Sequence, residues 1–157
     1  MPARLLVAIT MGDPAGIGPE IALRTVVDPR VQRACVPVII GDVGTLERVR
    51  AVCRVRRRIR AVGSPGEARG KGAVEVLDLK NVDPAACPLG VVSAAAGRAA
   101  VEYVFKSIDL AMAGEIAGGT AAMLGIGKLG GLAKGANNAG LRFGGNALTR
   151  SGGVGGD

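Results

Sequence analysis

The 157-residue sequence contains no histidine and no tryptophan, and its aromatic residues are confined to Tyr103, Phe105 and Phe143. Without an imidazole, this chain cannot supply a Ser-His-Asp or Cys-His pair, a His-ligated zinc site or a histidine proton shuttle. Proton transfer would fall to Asp, Glu, Lys, Tyr or Cys. The scarcity of rings argues against a platform that stacks nucleobases. Cysteine is also scarce: Cys35, Cys53 and Cys87 show no CxxC spacing, and an odd number suits no closed disulfide framework. They read as reduced, partly buried small residues. No apolar run approaches the roughly 20 residues that cross a bilayer, and Gly12-Asp13-Pro14 interrupts any signal-like segment at the N-terminus. A cytoplasmic, membrane-free protein is the expectation.

The chain carries 20 basic and 13 acidic residues, a net charge of +7. Seven arginines between 48 and 60 account for that excess, and the remaining residues balance at thirteen of each sign. Such a cluster could meet nucleic acid or a phosphate-rich partner. It also reads as a solvated helix end running into an edge strand, the reading preferred here because no aromatic or Gly-Arg repeat accompanies it. Acidic residues run out at the other end: Asp157 is the only one after residue 117, and 14 of the 40 residues from 118 onward are glycine. So much glycine raises the entropic cost of ordering the backbone. The expected organisation is a partial α/β domain over residues 1–126, followed by a poorly specified glycine-rich tail over 127–157.

Strands and helices alternate through the first part. Arg4 to Thr10 is a short, almost continuous apolar run bounded by a glycine loop, as buried parallel strands are. Pro19 suits the first turn of a helix over 20–27, Glu20 complements its positive end, and Asp28-Pro29 predicts its stop. Val36 to Ile40 predicts a second strand, 45–53 a helix, and Ile59 to Val62 and Val74 to Leu79 two weaker strands. The longest helix is expected over 93–113, with Ser93 as N-cap, Gly114 just beyond its end and a Glu102/Lys106 pair one turn apart. Val101, Val104 or Phe105, Ile108 and Met112 supply its helical periodicity. Ala121 to Ile126 would add a strand. This order predicts a three-layer α/β/α fold with a mainly parallel sheet.

The segment Gly12-Asp13-Pro14-Ala15-Gly16-Ile17-Gly18-Pro19-Glu20 carries the most chemical information. A strand–glycine loop–helix junction lets backbone approach a ligand, and the helix start offers free N–H groups to an anion. Its structural alternative is a tight turn with Ile17 plugged into the core. Asp13 could line a cleft or cap its own loop. The pattern is not the GxGxxG dinucleotide fingerprint, because no third glycine follows at the required spacing.

Ile9-Thr10-Met11 followed by this segment resembles the amino-terminal signature of the 4-hydroxythreonine-4-phosphate dehydrogenase family. The resemblance continues through Val38-Ile39-Ile40-Gly41-Asp42, Leu89-Gly90, Ser93, Gly97, Ala99-Ala100, Glu102-Tyr103 and Ala113-Gly114-Glu115-Ile116, covering about residues 4–117. A shorter GDGIGPE loop occurs in the related isocitrate and isopropylmalate dehydrogenases, and the long helix over 93–113 favours the first family. The resemblance implies part of the isocitrate/isopropylmalate dehydrogenase-like fold. It also implies a divalent metal, NAD or NADP, a phosphorylated hydroxy amino acid as substrate, and a homodimer with its site in a cleft. Gly12, Asp13, Gly16 and Gly18 would form the cleft loop.

The later part departs from that pattern. Ala139-Gly140-Leu141-Arg142-Phe143 matches, but Gly145-Asn146-Ala147-Leu148 stands where the family has Gly-His-Thr-Glu. Asn146 and Ala147 thus occupy substrate-contact positions with altered chemistry: Asn146 cannot become a cation, and Ala147 offers no side-chain hydrogen bond. Lys128 follows Gly125-Ile126-Gly127 without completing a P-loop and reads as a solvated lysine, while Lys134 aligns with a family lysine. No metal ligand can be assigned. Two expectations follow: an enzyme of this family that is incomplete and inactive as this chain, or a non-catalytic α/β fragment with weak anion or partner binding.

Overall fold

The computed structural model describes residues 4–119. Strand β1 (Leu5–Thr10) leads through the glycine loop into α1 (Gly18–Val27), a short α2 (Pro29–Ala34) and strand β2 (Cys35–Gly41). Helix α3 (Val43–Val52), strand β3 (Ile59–Val62), a 3-10 turn at Pro65–Glu67 and strand β4 (Val74–Asp78) follow. Helix α4 (Ala94–Met112) and the two-residue strand β5 (Gly118–Gly119) complete the described part.

The strands form one parallel sheet in the order β3-β4-β2-β1-β5. β1 and β2 pair along their lengths, from Leu5 opposite Cys35 to Thr10 opposite Ile40. Parallel strands joined by helices cross over with right-handed geometry. The β1-to-β2 and β2-to-β3 crossings step one way along the sheet, whereas β4-to-β5 steps back. That reversal puts α1 and α3 on one face and α4 on the other. Accordingly, α1 packs on α3, and α4 packs on β1 and β2. The expected three-layer α/β/α arrangement is present. β2 lies centrally, and its near-continuous apolar run is explained by burial on both faces: Val38, Ile39 and Ile40 are essentially inaccessible.

Local chemistry sets the element ends. Asp28 and Pro29 end α1, as expected, but the same pair also starts α2, which the sequence reading did not anticipate. The Asp28 carboxylate accepts from Arg30 N at 2.7 Å while Pro29 occupies the first helical turn. Asp42 caps α3 by accepting from Thr45 N at 2.7 Å, and Ser93 caps α4 by accepting from Ala96 N at 3.1 Å. Gly114 takes φ +73° just past α4, the left-handed geometry that closes helices.

Two expectations are corrected. Ile17 is not plugged into the core but is 68% exposed. Helix α4 does not bury the Val101/Phe105/Ile108/Met112 stripe: its buried residues are Ala96, Ala99, Tyr103, Ser107 and Leu110. Ala96, Ala99 and Ser107 share that face with the larger Tyr103 and Leu110. Glu102 accepts from Asn81 Nδ2 at 2.6 Å, and no Glu102–Lys106 ion pair occurs among the described residues. The Ala121–Ile126 strand and the boundary near residue 126 lie outside the described residues.

The arginine segment behaves as a helix end entering an edge strand. Arg50 pairs with Glu47 at 2.7 Å, and Arg48 reaches Thr45. Arg60, on edge strand β3, pairs with Glu75 on β4. Glu75 is only 2% exposed and also accepts from Arg69 N and Gly70 N, at 2.8 and 2.7 Å. A buried carboxylate held this way ties the edge strand to the turn preceding β4. All three cysteines are free thiols, with Cys53 and Cys87 buried.

Candidate functional site

In open parallel sheets, ligands bind beyond the carboxyl ends of the strands, where outgoing connections diverge to opposite faces. Here β1 and β2 send their chains toward α1 and α3, and the neighbouring β4 sends its chain toward α4. The divergence brings together the glycine loop after β1, Asp42 after β2, and Asp78 to Asn81 after β4.

The glycine loop is a built turn. Met11 N donates to Ile40 O at 2.9 Å and the Met11 side chain is fully buried, anchoring the loop under β2. Gly12 follows with φ +74°, a left-handed conformation suited to glycine. The Asp13 carboxylate accepts from Ala15 N at 2.8 Å, and Asp13 O accepts from Gly16 N at 3.1 Å. Asp13 thus caps its own loop, the second of its two expected roles. Gly18, at the start of α1, has no room for a side chain: a Cβ there would collide with the Met11 carbonyl oxygen. Gly16 has no such constraint, since its Cβ would meet only the Asp13 side chain, at 3.5 Å.

The loop is clamped from the opposite layer. Gly90 N, in the connection from β4 to α4, donates to Ala15 O at 2.7 Å. Ala15, Cys87 and Ala96 form a small buried cluster beneath that hydrogen bond. The resemblance singled out Leu89-Gly90 but gave it no partner; the folded chain supplies one in the loop itself.

Asp42, Asp78, Asn81 and Tyr103 were not singled out as site residues. Asp78 Oδ1 accepts from Val43 N at 3.1 Å and Lys80 N at 3.2 Å, joining the ends of β4 and β2. Tyr103, fully buried on α4, donates to Asn81 Oδ1 at 2.8 Å. Burial, reinforced by the negative charges of Asp42, Glu102 and Asp78, pushes the Tyr103 phenol well above its ordinary range. It therefore stays a neutral donor and anchors the 79–82 turn. The thiols of Cys35 and Cys53 are also pushed up by burial, which keeps them protonated and poor nucleophiles.

A divalent metal needs several converging donors. The sequence offers no imidazole, and among the described residues no three His, Cys, Asp or Glu side chains come together to hold an ion. The carboxylates of Asp13, Asp42 and Asp78 are already engaged with backbone N–H groups. These residues do not fit a metal site on their own. Asn146, Ala147, Lys128 and Lys134 lie outside the described residues. No helix among the described residues is long and apolar enough to cross a membrane.

No protein-family model matches the chain. Individual proteins do. A Fusobacterium nucleatum protein assigned as a D-threonate 4-phosphate dehydrogenase is 41% identical over 110 residues, covering 69% of this chain and 33% of that protein. A Symbiobacterium thermophilum protein with the same assignment is 39% identical over 117 residues, covering 74% and 35%. The crystal structure of a 4-hydroxythreonine-4-phosphate dehydrogenase from Burkholderia phymatum superimposes with a TM-score of 0.68 at 34% identity, covering 72% and 34%. The chain thus spans about a third of the length of the relatives it matches. Fold, strand-end loop and sequence agree, and the chain is a partial relative of the 4-hydroxythreonine-4-phosphate dehydrogenase family.

Proposed function

We propose that this chain forms one wall of the cleft of a dehydrogenase acting on a small phosphorylated hydroxy acid, with the glycine loop as its ligand-facing element. D-Threonate 4-phosphate and 4-phosphohydroxy-threonine are the substrates that the relatives' names suggest. The observation that carries this reading is the loop at the carboxyl edge of the parallel sheet, held from below by Met11 and from the side by Gly90. Backbone N–H groups of the loop and the start of α1 supply positive potential suited to a phosphate or carboxylate, without a charged side chain.

The reaction suggested by the family is an NAD- or NADP-linked oxidation assisted by a divalent ion. No step through either group is routed through this chain, because its described residues do not assemble a metal site. The chain's own contribution is to bind and orient an anionic substrate. Location in the cytoplasm and assembly as a dimer belong to the same reading.

Incubating the purified chain with each substrate, NAD or NADP and Mg²⁺, Mn²⁺, Co²⁺ or Zn²⁺ tests this division of labour. The expected result is no metal-dependent reduction of the nicotinamide. Sustained turnover would show that the chain holds the chemistry we withhold from it.

A further inference from the structure

Charge is divided between the two edges of the sheet. At the carboxyl edge, the ends of β1, β2 and β4 and their outgoing connections carry Asp13, Asp42, Asp78 and Asp83 against a single base, Lys80. At the amino edge, residues 53–58 and 68–73 lead into β3 and β4 and carry Arg54, Arg56, Arg57, Arg58, Arg69 and Lys71, with no acid. The pairing of Ile59 with Val74 sets these two entries side by side, and Val74 N donates to Arg58 O at 2.9 Å. Arg4, just before β1, joins them: its guanidinium donates to Gln32 O at 2.6 Å and to Arg69 O at 3.4 Å. Arg50 and Arg60 are neutralised by Glu47 and Glu75, whereas none of the six amino-edge cations has an ion pair among the described residues. Arg54 takes φ +54°, a left-handed conformation rare for a residue with a Cβ, as the chain leaves α3 for this edge.

We propose that this amino edge is a nucleic-acid surface, gripping the phosphates of a duplex without reading its sequence. Five of its six cations are arginines, whose planar forks match phosphate oxygens. Arg54, Arg56, Arg58, Arg69 and Lys71 are exposed, so their charges are available. Arg57 Nη1 is enclosed without a hydrogen-bond partner, a cost relieved when the guanidinium turns out to an acceptor. Strands lie about 4.8 Å apart, so the entries to β3, β4, β2 and β1 extend over roughly 15 Å, about four phosphates of one duplex strand. No aromatic residue falls between 48 and 74, which leaves backbone contact rather than base stacking as the mode. The cations stand on strand-entry loops and not on an amphipathic helix, the form a membrane-binding basic element takes. The acidic carboxyl edge would be repelled by the same polymer, so the glycine loop stays open while the amino edge is occupied.

Fluorescence anisotropy of a labelled DNA duplex of arbitrary sequence, titrated with the full 157-residue chain over a salt series, tests the proposal. Saturable binding is expected, with log Kd rising against log salt at a slope of about 3 to 4. The double variant Arg56→Gln/Arg58→Gln should lower that slope by about 2 and weaken binding at least about tenfold at low salt. Arg98→Gln/Lys106→Gln on α4 removes the same charge away from the patch and should leave both quantities unchanged. Circular dichroism verifies that each variant is folded. No binding, or equal weakening by the two double variants, would overturn the proposal, the latter because net charge alone would then explain the affinity. So would polyglutamate or phosphatidylserine vesicles displacing the duplex as effectively as unlabelled DNA does, which would assign the patch to an acidic polypeptide or a membrane.

Discussion

Gly18 and Gly16 stand two residues apart in the same loop, and only one of them lacks room for a methyl group. A Cβ on Gly18 would drive into the Met11 carbonyl oxygen, and Met11 cannot retreat because its side chain is buried and its N–H is bonded to Ile40. Gly18→Ala should therefore destabilise the fold by at least about 2 kcal/mol in chemical denaturation. Gly16→Ala should stay within about 1 kcal/mol, because its Cβ would make only an ordinary contact with Asp13. Equal costs at both sites would mean that the loop is not built as described. The glycines themselves were legible in the sequence, but not their ranking. Spacing identifies a strand-to-helix junction, and only the folded backbone reveals which Cα faces a carbonyl. Ile17 was misplaced for the same reason: an apolar residue between two glycines reads as a plug, yet the Asp13-capped turn directs it outward.

At the scale of elements, the edge of the sheet depends on Glu75. Burial pushes its carboxyl upward, but the Arg60 guanidinium and the N–H groups of Arg69 and Gly70 outweigh burial and hold it below the ordinary glutamate range. A depressed folded value means that this stabilisation is fully present above that ordinary range and is lost as pH falls through the folded value. Glu75→Gln should cost about 2 kcal/mol near neutral pH. The gap between wild type and variant should narrow below about pH 4, as the wild-type carboxyl takes up its proton. Denaturation curves collected across pH measure this directly, and a gap that widens on acidification would contradict the assignment. Element positions were largely legible: β3 matches Ile59–Val62, and β4 departs by one residue. Two features were not. Asp28-Pro29 read as a stop, but a capping carboxylate followed by proline is equally a start. In α4 both faces repeat at helical spacing, so periodicity alone does not choose between them, and the sheet took the face of Ala96, Ala99, Tyr103, Ser107 and Leu110.

For the molecule as a whole, the site joins segments distant in sequence. Asp78 meets Val43 across 35 residues, and Gly90 meets Ala15 between layers. Neither contact has a local signature, which is why the loop could be read from its motif and its clamp could not. The same architecture separates two surfaces with the chemistry to take an anion: the glycine loop at the carboxyl edge of the sheet, and the arginine segment beside edge strand β3. Arg54, Arg56 and Arg58 remain exposed there, so the alternative location is physically open. Backbone amide resonances followed during titration with D-threonate 4-phosphate, 4-phosphohydroxy-threonine and inorganic phosphate distinguish the two surfaces. Saturable shifts centred on Gly12, Gly16, Gly18 and Gly90, larger for the organic phosphates than for inorganic phosphate, are the predicted result. Shifts confined to residues 54–58, or none at the glycine loop, would contradict it.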